Sequence, residues 1–404
     1  MNRFSMLATG SALAVLGVAA YGAAPAKKTA AAPPPIATYW MDAATQSGLG
    51  AGMTPGARPN IGQIMGMMSG GSSVAHTLEL RLASKQKAAA PAAEHLPPVG
   101  LAMGPSLPLV TPIAPPPVER TPGMPQGMQR PKGRMLIYWG CGEHVGVGQP
   151  TAIDFSKLAA GQVPPGFAAM AANAAHAATR PGPRSAPGYG EWPNARDSRP
   201  VPATGSLAGA HKVEGNYSPP IGFSLTAGQD FMPALDLAEA GTLPSGATRL
   251  VWRLAPSATG YALAMFGSSG SGDVVMWNSG RNAAMFANMD YLPPAEVRRL
   301  VGTGAVLAPT VSECVLPAEV AAASPAGMVT MIGYGPEANF AEAPKAPKWT
   351  AKVRFKTSAS LIRGMGGYGG SAAQQGQPGQ PGQPPKKRKR FGLGDILNGT
   401  VPGN

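Results

Sequence analysis

The fold is decided by three short runs of sequence: Thr248-Arg-Leu-Val-Trp-Arg-Leu254, Tyr261-Ala-Leu-Ala-Met-Phe266 and Asp273-Val-Val-Met-Trp277. In the first run, Leu250, Trp252 and Leu254 fall on one face of an extended chain and two arginines fall on the other. The second run alternates in the same way from Tyr261 to Met265. A period of two predicts half-buried β-strands. Breaks rich in glycine, serine and proline separate the runs, which is the spacing of a β-sandwich.

Outward from this core, alternating or apolar runs predict further strands, at 36–41, 76–82, 134–139, 327–332 and 349–356. We expect the strand at 134–139 to pair with the one at 76–82. In the last run, Lys352, Arg354 and Lys356 lie opposite the apolar residues, and such a row of cations predicts an edge strand that faces solvent. Short helices are expected at 293–300, where proline opens the first turn, and at 317–323.

The arrangement of Trp252, Ala258-Thr-Gly-Tyr261 and Trp277 resembles strands B, C and C′ of fibronectin type III and other immunoglobulin-like modules. The resemblance implies an antiparallel immunoglobulin-like β-sandwich that serves in binding or spacing. The chain as a whole also resembles secreted bacterial proteins, and that likeness implies no activity. The predicted fold class is therefore mainly β, with an immunoglobulin-like core and one or two short helices.

Composition predicts long segments outside this core. The chain has 54 glycines and 45 prolines among 404 residues, which is near the level expected for disordered segments. The predicted organisation is listed here in chain order: 1–26 signal peptide, 27–83 N-terminal segment with strands, 84–133 Pro-rich linker or loop, 134–159 strand and Cys141 region, 160–215 Gly/Pro/Ala-rich loop, 216–358 β-sandwich core, and 359–404 disordered basic tail.

The first 26 residues have the pattern of a secretory signal. Arg3 supplies a positive start, residues 7–18 are apolar, and small residues at 21–26 offer a cleavage site. The alternative is a signal that is retained as a membrane anchor. No later run has enough consecutive apolar residues to cross a bilayer, so no span is expected after cleavage. We therefore expect a periplasmic or secreted protein.

The chain has two cysteines, Cys141 and Cys314. In an exported protein they predict one disulfide, which would tie the strand at 134–139 to the core. The alternative is a pair of unrelated buried thiols. Glu143 and His144 follow Cys141 closely, and a Cys-x-x-His pair at this spacing can supply two metal ligands. No second pair with matching spacing occurs.

Positive charge is concentrated near the C-terminus. From Lys345 onward, eleven Lys and Arg residues face one acid, so this part contributes +10 to the formal net charge of +13. Five consecutive cations lie in it: Lys386, Lys387, Arg388, Lys389 and Arg390. In an envelope compartment they are expected to contact an anionic surface of lipid, lipopolysaccharide or acidic polysaccharide. The alternative is a solvated tail without a partner, and no specific nucleic-acid partner is predicted.

Motifs of common enzyme classes are missing from the sequence. It contains no Gly-x-Ser-x-Gly elbow, no phosphate-binding Gly-x-x-x-x-Gly-Lys loop and no His-Glu-x-x-His motif. The predicted function is therefore a non-catalytic binding or structural role in the bacterial cell envelope, without a cofactor. The alternative is an exported metal-binding protein or hydrolase centred on Cys141, Glu143 and His144.

Overall fold

The computed structural model describes residues 33–48, 51, 74–112, 133–159, 162, 178–282, 290–344 and 346–364. Its strands are β1 (Ala37–Gly48), β2 (Val74–Ser84), β3 (Ala93–Leu96), β4 (Leu107–Leu109), β5 (Arg134–Trp139), β6 (Thr151–Asp154), β7 (Gly188–Trp192), β8 (Gly209–Gly215), β9 (Ile221–Leu225), β10 (Ala238–Thr242), β11 (Thr248–Val251), β12 (Gly260–Ser268), β13 (Val274–Asn278), β14 (Glu313–Leu316), β15 (Gly327–Ala341) and β16 (Trp349–Arg363). Its helices are α1 (Phe155–Ala159), α2 (Pro294–Gly302) and α3 (Ala318–Ala323), and a single 3-10 turn covers Val99–Leu101. The described structure is thus mainly β, as the sequence predicts.

Nine strands form one large sheet, in the order β6-β5-β13-β12-β15-β16-β1-β2-β7. The long strands β1 and β16 run parallel, in register from Ala37 beside Trp349 to Gly48 beside Ser360. Strands β5 and β13 also run parallel. The expectation of an antiparallel core is therefore wrong for these two pairs. Parallel strands need a long crossover connection, and both pairs have one because their strands are distant in the chain.

Two smaller sheets pack on one face of the large sheet, which we call the inner face. Their orders are β10-β11-β14 and β4-β3-β8-β9. Side chains from all three sheets meet in one hydrophobic cluster, represented by Leu80 and Val353 of the large sheet, Leu250 and Leu316 of the three-stranded sheet, and Leu107 and Val213 of the four-stranded sheet. Burial of this shared apolar surface is the main force that holds the three sheets together.

The opposite, outer face of the large sheet is covered in its middle by α2. Val297 and Leu300 of this helix pack on Ala262, Ile332 and Tyr334. The helix begins directly after Pro293 and ends at Gly302, close to the predicted bounds. Helix α3 also forms where the sequence predicts it.

The apolar face of the first run, at 248–254, is buried only in part. Leu250 and Trp252 are 0% and 5% exposed, but Leu254 is 41% exposed. Strand β11 ends at Val251, so the alternation does not continue to Leu254. Tyr261 and the residues that alternate with it are buried in β12, which lies in the large sheet and not in the sheet of β11.

The interpretation of residues 84–133 as an exposed linker is wrong where the structure describes them, up to residue 112. Strands β3 and β4 form there, and the buried side chains include Leu101, Met103, Leu107 and Leu109. Residues 160–215 likewise contain β7 and β8 and are not only a loop. These strands are short, so prolines and glycines around them hide the alternation. The core is also not confined to 216–358, because β1 lies between β16 and β2 in the large sheet.

The predicted pairing of the strand at 134–139 with the strand at 76–82 is wrong. Strand β5 pairs with β13 and β6, whereas β2 pairs with β1 and β7. Strands that follow one another in the chain tend to be neighbours, and β1 and β2 obey this tendency. The signal segment at 1–26 lies outside the described residues. The prediction that a disordered tail begins at 359 is wrong for residues 359–363, which continue β16 in pairing with β15, and the tail from 365 onward lies outside the described residues.

Candidate functional site

A group of charged and aromatic side chains lies on the outer face of strands β2, β1, β16 and β15. We call it the Asp42 cluster; its members are Trp40, Asp42, Glu79, Arg81, Arg180, Asp290, Tyr291, Glu337, Lys352, Arg354 and Lys356. The register of the strands places Asp42 beside two of the other members, since it is the pairing partner of both Arg354 and Glu79. Side chains at paired positions point to the same face of a sheet, so these three charged groups meet.

The carboxylate of Asp42 is the centre of the cluster. Arg354 donates to both of its oxygens, from Nε at 2.6 Å and from Nη2 at 2.6 Å. Arg81 donates a third hydrogen bond of 3.1 Å, and Arg180 lies 3.7 Å away. The Asp42 side chain is 0% exposed and that of Arg354 is 2% exposed. Arginine suits this position because its planar fork matches a carboxylate and cannot be deprotonated in proteins.

Two aromatic rings enclose the Arg354 guanidinium. Its central carbon lies 4.6 Å from the centre of the Trp40 ring and 4.7 Å from that of Tyr291. Lys356 approaches Tyr291 to 4.1 Å, and Lys352 approaches Trp40 to 5.5 Å. Such cation–π contacts strengthen when water is excluded. Burial raises the pKa of the Tyr291 hydroxyl well above its usual value, so this ring stays neutral.

The rim of the cluster carries charges of both signs. Arg180 bonds to Asp290 and lies 3.7 Å from Glu79, while Lys356 lies 3.6 Å from Asp290. Burial acts to raise the pKa of Asp290, but the Tyr291 backbone N–H and nearby cations hold it below its usual value. Burial lowers the pKa of Lys356, and Asp290 opposes that effect. With five cations and four carboxylates, the cluster is close to neutral.

The cluster corrects the sequence interpretation of β16. This strand is central and not an edge, because β15 and β1 flank it. Its cations do not face open solvent: Asp42 binds Arg354, Glu337 binds Lys352 at 2.7 Å, and Tyr291 covers Lys356. The signal that sequence reasoning missed is Asp42 itself, the one charged residue of β1.

The predicted disulfide is present. Cys141 and Cys314 are bonded, with their Cα atoms 5.2 Å apart, and the chain has no free cysteine. The bond joins the segment after β5 to β14, as expected. Because its sulfur is bonded in this way, Cys141 is not available as a thiolate ligand for a metal. No group of three or more His, Cys, Asp or Glu side chains that could hold a metal ion occurs among the described residues.

His144 pairs with Glu319 and not with its sequence neighbour Glu143. Its Nδ1 lies 2.9 Å from one oxygen of Glu319, whose other oxygen accepts from the Val145 backbone N–H. A hydrogen bond from its own backbone N–H, followed by the bond to His144, lowers the pKa of Glu319. The pair lines an open groove of about 440 Å³ together with Ser245 and Arg363. An imidazole oriented by a carboxylate at Nδ1 can take a proton at Nε2.

A second groove, of about 530 Å³, crosses the four-stranded sheet. Glu94 and Glu214 are pairing partners in adjacent strands on its floor, and Arg196 lines it as well. Within the described ranges, neither glutamate side chain has a hydrogen bond or ion pair. The groove therefore holds two negative charges side by side, which disfavours the local pairing of the strands.

The remaining predicted site residues, Lys386, Lys387, Arg388, Lys389 and Arg390, lie outside the described residues. Within the described ranges, we find no helix with the length and apolar character that a membrane span requires. Comparisons with protein-family models, with curated proteins and with solved structures gave no significant match. Function is therefore argued from the chain's own residues.

Proposed function

We propose that this chain is an exported, non-catalytic binding or structural protein of the bacterial cell envelope. The observation that carries the proposal is the disulfide, which uses both cysteines of the chain. Structural disulfides persist in oxidising compartments and are rare where thiols are kept reduced. The signal-like pattern of residues 1–26 supports the same compartment.

An immunoglobulin-like sandwich remains part of this proposal. Its support is the packing of Trp252, which directly follows β11, against Tyr261 of β12 in the large sheet. The two rings meet edge to face, with centres 5.8 Å apart and planes at 61°. Tyr261 Oη also accepts a hydrogen bond from the Ala255 backbone N–H at 2.8 Å, which fixes the turn between the two strands. Aromatic contact between facing sheets is the usual centre of a sandwich core.

The proposed partner is an anionic envelope surface, contacted through the cations at 386–390. The formal net charge of +13 favours association with negatively charged lipid, lipopolysaccharide or polysaccharide. The Asp42 cluster is nearly neutral, so it is a poor candidate for this attraction. We assign that cluster to holding the long strands β1 and β16 in register.

Export and oxidation can be tested together by intact-mass analysis of protein taken from the periplasm. We expect loss of roughly the first 22–26 residues, as is usual for signal peptides. We also expect a mass two hydrogens below that of the reduced protein. A full-length chain found in the cytoplasm with both thiols open to alkylation would contradict the proposal.

A hydrolase is a second candidate, favoured by the pairing of His144 with Glu319. With Nδ1 held by Glu319, Nε2 of His144 could accept a proton from a water molecule or from a substrate hydroxyl. The test is hydrolysis of a simple aryl ester by the wild type and by His144→Gln and Glu319→Gln. Activity that both substitutions abolish supports the candidate, and an inactive wild type removes it for esters of this kind.

A further inference from the structure

A chain of three hydrogen bonds runs through the protein interior. The Tyr39 hydroxyl lies 3.0 Å from His95 Nδ1, His95 Nε2 lies 3.2 Å from His211 Nδ1, and His211 Nε2 lies 2.7 Å from the carbonyl oxygen of Leu207. Tyr39, His95 and His211 are each 0% exposed. The chain is therefore shielded from water at every link.

One fixed acceptor sets the proton positions along this chain. A carbonyl oxygen can only accept, so His211 must carry its proton on Nε2. Neutral His211 then accepts at Nδ1, which requires a proton on His95 Nε2. Neutral His95 in turn accepts at Nδ1 from the Tyr39 hydroxyl. With both imidazoles neutral, all three bonds thus point one way and each donor has an acceptor.

The chain connects two sheets. Tyr39 belongs to β1 in the large sheet, whereas His95 and His211 belong to β3 and β8 in the four-stranded sheet. Ring contacts reinforce the junction, since Tyr39 stacks on His95 at 5.7 Å and lies 6.1 Å from the ring of Phe223 in β9. These bonds form a polar link between the four-stranded sheet and β1, near the centre of the large sheet.

Protonation disrupts the chain stepwise. A first proton on either imidazole gives the Tyr39 oxygen an N–H donor, so the hydroxyl proton loses its acceptor; within the described ranges, the hydroxyl makes no other hydrogen bond. A second proton places two N–H groups against each other across the 3.2 Å contact between His95 and His211. Each step also buries a cation without a counter-charge, which is costly in a low dielectric.

The electrostatic surroundings agree with this geometry. Burial lowers the pKa of His95, and the charge of His211 lowers it further. Burial also lowers the pKa of His211, against a smaller opposing effect of the Leu207 carbonyl. Asp42 also acts on the chain: its charge adds to the burial that raises the pKa of the Tyr39 hydroxyl.

We propose that Tyr39, His95 and His211 form an acid-released latch that holds the four-stranded sheet against β1. Above the unfolded-state value for histidine, roughly pH 6.5, the latch contributes its full stability. Below that value the open state takes up protons that the closed state refuses, so opening becomes progressively easier. Release would uncover Phe223 and Phe340, which stack on each other beneath the four-stranded sheet.

The first test is the proton arrangement itself, read from ¹⁵N shifts of the imidazoles in the full-length protein at about pH 7.5. We expect both His95 and His211 to be neutral with the proton on Nε2. A proton on Nδ1 of either ring, or a charged ring, would overturn the latch.

The second test is amide hydrogen exchange between about pH 7.5 and pH 5, corrected for intrinsic rates. We expect the opening equilibrium of β3 and β8 to rise below about pH 6.5 by up to tenfold per pH unit for each histidine that becomes protonated. Amides of β12 and β15 should stay protected. If exchange rises equally in all four strands, or in none of them, there is no separate latch.

His211→Gln isolates the role of titration, because the amide can donate to Leu207 and accept from His95 but cannot be protonated. We expect its opening to depend on one proton fewer than that of the wild type, whereas His144→Gln, at an exposed histidine, should match the wild type. If His211→Gln does not fold, the wild type alone decides the proposal. As the pH falls, amides of β3 and β8 must lose protection before those of β12 and β15.

Discussion

Asp42 of the first described strand and Arg354 of the last form a two-bond ion pair, with both hydrogen bonds at 2.6 Å and neither side chain more than 2% exposed. The pair links residues 312 positions apart in the chain. A one-residue slip between β1 and β16 would turn one partner to the inner face. The pair therefore fixes the register of the parallel strands at the centre of the large sheet.

We expect Arg354→Met to destabilise the protein by about 3–5 kcal/mol, because it leaves the Asp42 carboxylate buried without its main partner. Asp42→Asn should cost a similar amount, since it leaves the guanidinium uncompensated. The double variant should cost clearly less than the sum of the two, as for groups in direct contact. Denaturant unfolding of the four proteins completes this cycle.

The pair of Arg249 and Glu313 is the matched control. It also has two bonds from one guanidinium, both to Glu313 Oε2, but its side chains are 49% and 52% exposed. Arg249→Met should cost no more than about 1 kcal/mol, because exposed ion pairs contribute little. Equal losses at Arg249 and Arg354 would mean that the Asp42 cluster does not stabilise the register.

Alternation in the sequence predicts one face of β16 correctly, but the prediction that the other face meets solvent is wrong. Trp349, Val353 and Phe355 are buried as their alternation predicts. Alternation shows that a face is polar, but it cannot show whether that face meets water or a second layer of charged groups. The members of the Asp42 cluster outside β16 come from β1, β2, β15 and two loops, and nothing local in the sequence connects these segments.

A similar limit applies to the four-stranded sheet and its latch. His95 and His211 lie in segments whose proline and glycine content favours loops, and strands of four to seven residues give too few positions for a clear period. Their proximity depends on a sheet that forms between distant segments. The disulfide is easier to predict, because a chain with two cysteines allows a single pairing.

Trp252→Ala should destabilise the protein by about 3–5 kcal/mol, since it empties a large site between two sheets. Leu254→Ala should change stability by no more than about 0.5 kcal/mol, because Leu254 is 41% exposed. Trp252→Phe should cost less than Trp252→Ala. It keeps an aromatic ring and breaks no hydrogen bond, because the buried indole N–H has no partner in the described structure. Thermal and denaturant unfolding distinguish the three, and an unchanged Trp252→Ala would remove this stretch from the core.

Reduction of the disulfide between Cys141 and Cys314 should cost about 2–5 kcal/mol, because the bond closes a loop of 173 residues in the unfolded chain. After reduction, Cys141 should be alkylated before Cys314, which is 2% exposed in β14. Unfolding with and without reductant, followed by peptide mapping of the alkylated thiols, measures both effects. A Cys141→Ala/Cys314→Ala variant that is as stable as the oxidised wild type would show that the bond is not structural.

Deletion of residues 386–404 tests the proposed anionic partner. It removes five cations and one acid, and so lowers the formal net charge from +13 to +9. Each cation contributes about 1 kcal/mol near an anionic membrane, and the effect falls as salt rises. We therefore expect the full-length protein to sediment with vesicles of anionic lipid at low salt, and the deletion variant to remain in the supernatant.

Replacing the five cations by Gln, with the length unchanged, should have the same effect as the deletion, and neutral vesicles should bind none of the three proteins. A full-length protein that ignores anionic vesicles even at low ionic strength would exclude the lipid partner, and a deletion variant that still sediments would move the attraction to another part of the chain.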